Sequence, residues 1–227
     1  VYPSTNAVAG IDSYTFSNVA DAVYAAVEGE TITLLQNAQI YKYEEIRKSL
    51  TFDLGGHTLS SISSGFDVYS NFTLKNGTLN TDAWGVWVQN EGVKFTLASD
   101  ATINADRNTT LTSASGVVVV QNASADLYGT VTAQHNFAVA GNGSNGYGGV
   151  TINVMPGANI STTEDSPALY FPNTTNLNIS GGSITGGTGA YVKSGTVTIS
   201  DGTITGNGPK ASYVFNGNGA NSTGDAL

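Results

Sequence analysis

The fold is decided by a short stretch that recurs along the chain, Leu50-Thr-Phe-Asp-Leu-Gly-Gly-His-Thr-Leu59. In this stretch apolar residues alternate with polar ones, a tight turn follows, and a second short alternating segment completes the unit. Alternation of this kind is typical of a β-strand with one buried face. The stretch therefore predicts two short strands joined by a turn.

Further copies of this unit follow at intervals of 20 to 28 residues, measured between turn residues. The turns lie at Gly56, Gly77, Ala101, Gly129, Gly157, Gly182 and Gly202. A second motif, a short apolar run that ends near Asn or Ser, lies between the copies, as in Val86-Trp-Val-Gln-Asn90. Each repeat thus contains three strands, and a repeat of this length with three strands is typical of one coil of a parallel β-helix.

The repeats predict an all-β chain folded as a right-handed parallel β-helix of about seven coils. Before them, apolar residues at helical spacing predict a capping α-helix at about residues 17–28, with Ser17 as its N-cap and Gly29 as its stop. Such a helix would cover the apolar interior and the strand edges of the first coil. We expect one β-helix domain over residues 1–215 and a Gly- and Asn-rich tail or linker over residues 216–227.

A family resemblance lies in the opening segment, Phe16-Ser-Asn-Val-Ala-Asp-Ala-Val-Tyr-Ala-Ala-Val-Glu-Gly-Glu-Thr-Ile-Thr-Leu-Leu35. It resembles the start of pectin-lyase-like right-handed parallel β-helix proteins, in which a lid helix leads into the first strand. Two late stretches, Ile179-Ser-Gly-Gly-Ser-Ile-Thr185 and Ile199-Ser-Asp-Gly-Thr-Ile-Thr205, resemble bacterial cell-surface, adhesin-like members of that superfamily. The resemblance implies the fold and an extracellular or cell-surface location. It selects no activity, because this fold hosts lyases, hydrolases, esterases, adhesins and phage tailspikes.

The composition narrows the choice of partners. The net charge is −9 and the eight Lys and Arg residues are scattered, so we expect no binding to nucleic acid, which needs clustered cations. No apolar run approaches the length of a membrane span, so we expect no membrane insertion. The absence of cysteine excludes disulfides and thiolate metal sites.

No catalytic motif of the pectate lyases, polygalacturonases or pectin esterases is recognisable, so we assign no catalytic residue and do not favour an enzyme. Arg47, next to Glu44 and Glu45, is interpreted as part of a surface ion pair or as a charge at a strand edge, and Arg107 as a loop residue. His57 and His135 are interpreted as structural residues in a turn and at a coil corner, and nothing singles out a Ser-His-Asp set. No metal site or cofactor is predicted, although turn carboxylates could supply oxygen ligands to Ca²⁺.

The second motif predicts an unusual outward face. If Val86 and Val88 point inward, the residue between them points outward. The same alignment in every coil gives an outward column of Asp67, Trp87, Val119, Val139, Tyr170, Tyr191 and Tyr213. An exposed apolar strip of this size indicates an interaction surface. The predicted ligand-binding or interface residues are Asp67, Trp87, Tyr170, Tyr191 and Tyr213.

Three interpretations of this column remain open. Its aromatic side chains suit stacking on sugar rings, and they also suit burial against another protein chain or a second copy. A loop of the same chain, from residues 105–115 or 142–149, would cover it equally well. We favour a non-catalytic extracellular module of a surface protein, for adhesion or for binding a glycan or partner. The alternatives are a lyase or glycoside hydrolase acting on acidic glycans, and a structural subunit of a fibre or surface layer.

Overall fold

The fold is taken from a computed structural model that describes residues 6–107, 114–141, 149–163, 166–172 and 175–208, together with the strands at 213–214 and 221–222. It is a parallel β-solenoid of about seven coils with one short helix, so the predicted parallel β-helix is confirmed. None of the helical residues described forms a segment long and apolar enough to cross a membrane.

An antiparallel hairpin and the helix precede the first coil: β1 (Ala9–Ile11), β2 (Tyr14–Phe16) and α1 (Val19–Ala25). The strands of the first three coils follow: β3 (Thr31–Leu34), β4 (Ala38–Ile40), β5 (Glu44–Ile46), β6 (Leu50–Asp53), β7 (Thr58–Ser61), β8 (Phe66–Val68), β9 (Phe72–Lys75), β10 (Gly77–Thr81) and β11 (Val86–Val88). The next three coils contain β12 (Lys94–Leu97), β13 (Ala101–Ala105), β14 (Val117–Val119), β15 (Ser124–Leu127), β16 (Thr130–Ala133), β17 (Val139–Gly141), β18 (Val150–Val154), β19 (Asn159–Thr162) and β20 (Pro167–Phe171). The remaining strands are β21 (Thr175–Gly186), β22 (Thr188–Val192), β23 (Thr196–Gly206), β24 (Tyr213–Val214) and β25 (Asn221–Ser222).

The coils stack into three strand faces. The first face runs from β3 through β6, β9, β12, β15 and β18 to β21, and the second from β4 through β7, β10, β13, β16 and β19 to the same long strand. The third face is a seven-stranded sheet in the order β5, β8, β11, β14, β17, β20, β22. Every pairing between successive coils is parallel, so residues at equal positions form columns along the solenoid.

The interior is a continuous apolar core that passes from coil to coil. Phenylalanines at the first and third faces contact one another, with ring centroids 5.5 Å apart for Phe52 and Phe66, 5.0 Å for Phe66 and Phe72, and 6.0 Å for Phe72 and Phe95. All four side chains are buried. Each contributes on the order of 2 kcal/mol of burial free energy, which a single coil could not provide without its neighbours.

The outer surface of the first face is polar and is held by side-chain ladders. Asn153 donates to Asp126 at 2.6 Å, and Asn178 donates in turn to Asn153 at 2.8 Å. The alternation of buried and polar residues in these strands follows the sequence pattern, as in β6, where Leu50 and Phe52 are buried between partly exposed neighbours. The predicted inward and outward positions of this face are therefore confirmed.

The helix lies where it is predicted, but its ends differ. Its N-cap is Asn18, whose side-chain oxygen accepts from the amide of Asp21 at 2.8 Å, and not Ser17. It ends at Ala25, where the ammonium of Lys48 binds the carbonyl oxygens of Tyr24 and Ala26. Gly29 has φ +86° but lies in the turn beyond the helix. The buried face of α1 packs over the first coil as a cap.

The register of the third face differs from the prediction in two coils. Val86 stands beside Val117, which stands beside Val139, so Val119 and Val139 point into the core and not outward. Four consecutive valines at 117–120 give the same apolar pattern in either register, which is why the sequence did not distinguish them. The stacking of neighbouring coils selects the register in which Val118 and Ala140 occupy the outward column.

Tyr213 does not continue the third face as predicted. Its strand, β24, pairs antiparallel with β25, and β22 is the last strand of the seven-stranded sheet. Local pairing with the next segment thus replaces stacking on the preceding coil. The predicted domain boundary between residues 215 and 216 falls outside the described residues and stays a prediction.

Candidate functional site

The outward column of the third face brings together most of the predicted site residues. We define the aromatic face as this column, which runs coil by coil through Glu45, Asp67, Trp87, Val118, Ala140, Tyr170 and Tyr191. Because successive coils lie ~4.8 Å apart, each member is the immediate neighbour of the next. The column divides into a polar half at its start and an apolar half at its end.

The side chains in the apolar half of the aromatic face pack against one another and are largely buried. Phe137 stacks on Tyr170 with ring centroids 4.5 Å apart, and Tyr170 stacks on Tyr191 at 6.0 Å. Tyr170 is only 3% exposed, and Val118 and Ala140 are 4% and 6% exposed. Phe137, Ala140 and Tyr170 form a small second apolar cluster outside the main core, with the partly buried Tyr191 packed against it. The Tyr170 ring therefore presents no open surface to a ligand. The segments predicted to cover this half, 105–115 and 142–149, lie mostly outside the described residues.

The polar half carries both tryptophans of the chain. Trp84, at the corner before β11, meets Trp87 on the strand edge-to-face, with ring centroids 5.8 Å apart and planes at 86°. Both rings are partly exposed. Trp87 stands directly beside Asp67 on the preceding coil. An aromatic surface and a carboxylate are therefore adjacent on the same open part of the face.

An arginine anchors the first coil of the polar half. The Nε of Arg47 donates to Glu45 at 2.8 Å, which confirms the predicted surface ion pair. The same guanidinium lies 4.2 Å from the ring centroid of Tyr69, a cation–π contact. Glu45, Arg47 and Tyr69 are thereby fixed relative to one another on two adjacent coils.

The electrostatics of Asp67 follow from this setting. Burial raises the pKa of Asp67 above its ordinary value, the neighbouring charge of Glu45 raises it further, and Arg47 opposes both. A partly desolvated carboxyl group gains most from a ligand that supplies hydrogen-bond donors, because few waters compete for its oxygens. The polar half thus combines stacking surface with a carboxyl group suited to binding hydroxyl groups.

Sequence reasoning missed Glu45, Arg47, Tyr69 and Trp84 as members of this site. For three of these residues, the spacing in the sequence already indicated their position on the face. Glu45 precedes Asp67 in the column by one coil. Arg47 and Tyr69 lie two residues after Glu45 and Asp67, just past the ends of β5 and β8. Trp84 lies outside the strand, so only the three-dimensional path of the corner brings it to Trp87.

A second polar cluster occupies a corner between coils. Asp106, fully buried at φ +54°, accepts from the amide of His135 at 2.9 Å and from the side chain of Asn136 at 3.3 Å. The hydroxyl of Ser166 donates to the backbone oxygen of His135 at 2.7 Å, while His135 Nδ1 lies 2.7 Å from the backbone oxygen of Asp106. Because the serine bonds to the histidine backbone and not to its ring, the three residues join coils together and do not form the arrangement that activates a nucleophile.

Asp106 is the least satisfied member of that cluster. Its Oδ1 atom is buried with no hydrogen-bond partner, and burial raises the pKa of its carboxyl group, although the amides of His135 and Asn136 oppose this. Across the described ranges, no group of three or more His, Asp and Glu residues has the geometry to hold a metal ion.

The fold and the face define the class of protein: a parallel β-solenoid whose third face carries tryptophans, carboxylates and an arginine on adjacent coils. Comparison of the chain with protein-family models, with curated proteins and with solved structures gives no significant match.

Proposed function

We propose that this protein is a non-catalytic β-helix module that binds glycans through the polar half of its aromatic face. The observation that carries the proposal is the Trp84–Trp87 pair standing beside Asp67 and the Arg47–Glu45 ion pair. Sugar rings present apolar C–H faces and a rim of hydroxyl groups. Aromatic rings pack against the C–H faces, and charged hydrogen-bonding groups bind the hydroxyl groups.

The scaffold supports binding without rearrangement. Trp87 and Asp67 lie on paired strands whose inward neighbours, Val86, Val88 and Phe66, are fully packed in the core. A site built on strands of a packed solenoid keeps its side chains in place, so little conformational entropy is lost when a ligand binds. Repetition at ~4.8 Å per coil also suits an extended polymer lying along the solenoid axis.

The composition and the family resemblance support an extracellular location for this module. Only 11% of residues are charged, and polarity is carried by Asn, Thr, Ser and Gly, as in many strand-rich extracellular proteins. Together with the resemblance of Phe16–Leu35 and of the late Gly-containing repeats, this supports an extracellular, adhesin-like member of the pectin-lyase-like superfamily. In this setting the polar half would attach the protein to a polysaccharide surface.

A second candidate function, glycoside hydrolysis, rests on one observation. Asp67 and Glu45 are neighbouring carboxylates, and the pKa of Asp67 is raised by burial, as the general acid of such a pair requires. This activity would be established if the wild type hydrolyses a bound glycan and the Asp67→Asn variant binds the same glycan without hydrolysing it. A bound glycan that stays intact on prolonged incubation favours the non-catalytic module.

The binding proposal is tested on a glycan array with the wild-type protein and two variants. We expect Trp87→Ala to weaken binding of the recognised glycan at least about tenfold, because the stacking surface is removed. Tyr128→Ala, which removes a partly exposed tyrosine from the first face, is the matched control and should bind like the wild type. Equal binding by the wild type and Trp87→Ala would exclude the polar half as the site.

A further inference from the structure

Glu44 occupies a position that is apolar in the coils that follow. On β5 it stands beside Phe66, and the same column continues through Val86 and Val117, all of which lie in the core. Glu44 itself is only 8% exposed. A carboxylate has therefore been placed in an inward column, at the one coil that lies against helix α1.

The side chain of Glu44 lines a groove between α1 and the first coil. The groove has a volume of about 800 Å³, and its lining includes Tyr24 of the helix and Tyr43, Glu45 and Arg47 of the coil. Tyr24 is 88% exposed and Tyr43 42% exposed, so both rings are accessible at its edges. Glu45 and Arg47 also belong to the polar half of the aromatic face, and the groove is thus continuous with the proposed glycan site.

The cations around the groove do not neutralise Glu44 by contact. Arg47 is bound to Glu45 and to the Tyr69 ring, and Lys48 is bound to backbone carbonyls at the end of α1. Lys42 acts on Glu44 only through longer-range attraction. Within the described part of the chain, no hydrogen bond or ion pair reaches the Glu44 carboxylate. Burial raises the pKa of Glu44, which Lys42 partly offsets, so this carboxylate gains from any cation brought to it.

We propose that this groove binds a protonated primary amine of the glycan, with Glu44 as its acceptor and Tyr24 and Tyr43 as flanking aromatic side chains. The ligand class is a polysaccharide that contains amino sugars with free amines. A carboxylate provides the charge-assisted hydrogen bond that an ammonium group requires, and aromatic rings attract the same cation through their π faces. A uronic-acid polymer would instead bring further negative charge to Glu44, Glu45 and Asp67. This inference rests on the proposed glycan-binding function.

The fold itself does not require the carboxylate. A buried, unpaired charge costs free energy, and an apolar side chain would match the column better. We therefore expect Glu44→Leu to raise Tm by about 2–4 °C while abolishing the preference for amines. A fall in Tm in Glu44→Leu would assign the carboxylate a structural role and overturn the inference.

The preference for an amine-bearing glycan is measured by calorimetry with two hexasaccharides of equal length. One is the neutral N-acetylglucosamine hexamer, and the other is its de-N-acetylated, amine-bearing form. We expect the wild type to bind the amine form about tenfold more tightly, and Glu44→Gln to bind both forms equally, with affinity for the neutral form unchanged. Equal affinities in the wild type, or a preference retained in Glu44→Gln, would overturn the inference and leave the proposed function intact.

If neither hexamer binds, glucosamine alone separates the two proposals. NMR shifts at Tyr24 and Tyr43 in the wild type, absent in Glu44→Gln, would support the amine site without testing glycan binding at Trp87. The absence of both hexamer binding and glucosamine shifts would overturn the amine site, and the glycan array would still test the proposed function separately.

Discussion

Three carboxyl groups show how individual residues depart from the pattern of the solenoid. Glu44 and Asp106 are buried and Asp67 is partly buried, and burial raises the pKa of each. A raised pKa means that the folded state binds more protons than the unfolded state between the ordinary and the raised value. The free energy of unfolding therefore falls as pH rises through that interval, and the loss is complete above the raised value.

Asp106 provides the cleanest test of this pH dependence. In the wild type its contribution destabilises the fold as pH rises above about 4, the ordinary pKa of an aspartate. Asp106→Asn cannot ionise and retains groups that can bond to His135, so we expect a smaller decline in stability from pH 4 to pH 7. Urea unfolding at several pH values measures this decline.

Asp53 is a control of opposite sign. Burial alone would raise the pKa of Asp53, but the Gly55 amide, Asn76 and Lys75 lower it. Its contribution is present above the ordinary pKa and is lost as pH falls through the lowered value. Asp53→Asn should therefore lose stability mainly near neutral pH. Identical pH profiles for the two variants would contradict these assignments.

At this scale the sequence predicted which side of a strand a residue occupies better than which residues meet at the site. The period of two located Asp67 and Trp87 on the outer side of their strands. It could not distinguish the registers of Val117–Val120, and it could not place Asp106 beside His135, 29 residues away. Coil lengths vary, so residues at a corner meet only when the path of each turn is known.

At the scale of elements, a column of glycines sets how closely the coils approach before the third face. Gly65, Gly85 and Gly116 stack at the corner that precedes β8, β11 and β14. A Cβ atom on Gly85 would lie 2.4 Å from the backbone oxygen of Gly116 and 2.6 Å from Ile103. Because the first of these contacts is with backbone, no rotamer change relieves it.

We therefore expect Gly85→Ala to lower the free energy of unfolding by about 1–3 kcal/mol. Gly10→Ala is the control, since its added carbon would lie 3.4 Å from the Tyr14 backbone oxygen, close to ordinary contact, and it should change stability by less than about 0.5 kcal/mol. Chemical denaturation measures both. A Gly85→Ala variant as stable as the control would show that the corner relaxes and that the glycines are not needed for stacking.

The column of glycines explains why the strands could be predicted from the sequence while the register of the third face could not. The turn residues and alternation located the strands of each coil. The register of β14 depends on Gly116 meeting Gly85, a contact between residues 31 positions apart in the sequence. At the C-terminal end of α1, Lys48 likewise binds carbonyl groups of residues that lie more than twenty positions earlier in the chain.

At the scale of the whole molecule, the two ends of the described solenoid differ. At the start, α1 and the β1–β2 hairpin cover the first coil. At the other end, β23 pairs with β21 on one side, and most of its residues are exposed, including Ile199 at 47%. In a solenoid each coil is stabilised only by its neighbours, so local stability should follow this difference.

We expect amide hydrogen exchange to be slowest in the central strands β9 to β18 and fastest in β23, with β3 protected beneath its cap. Exchange measured by mass spectrometry on peptides covering these strands tests the gradient. Uniform protection from β3 to β23 would contradict this gradient and would mean that the end coil is covered in solution.

Glycan binding by the polar half has a direct spectroscopic test. Trp84 and Trp87 are the only tryptophans in the chain, so the intrinsic tryptophan emission reports on this site alone. Titration with a glycan selected on the array should change the emission in a saturable way, with the same Kd as calorimetry gives. Calorimetric binding with unchanged tryptophan emission would place the glycan elsewhere on the molecule and contradict the claim.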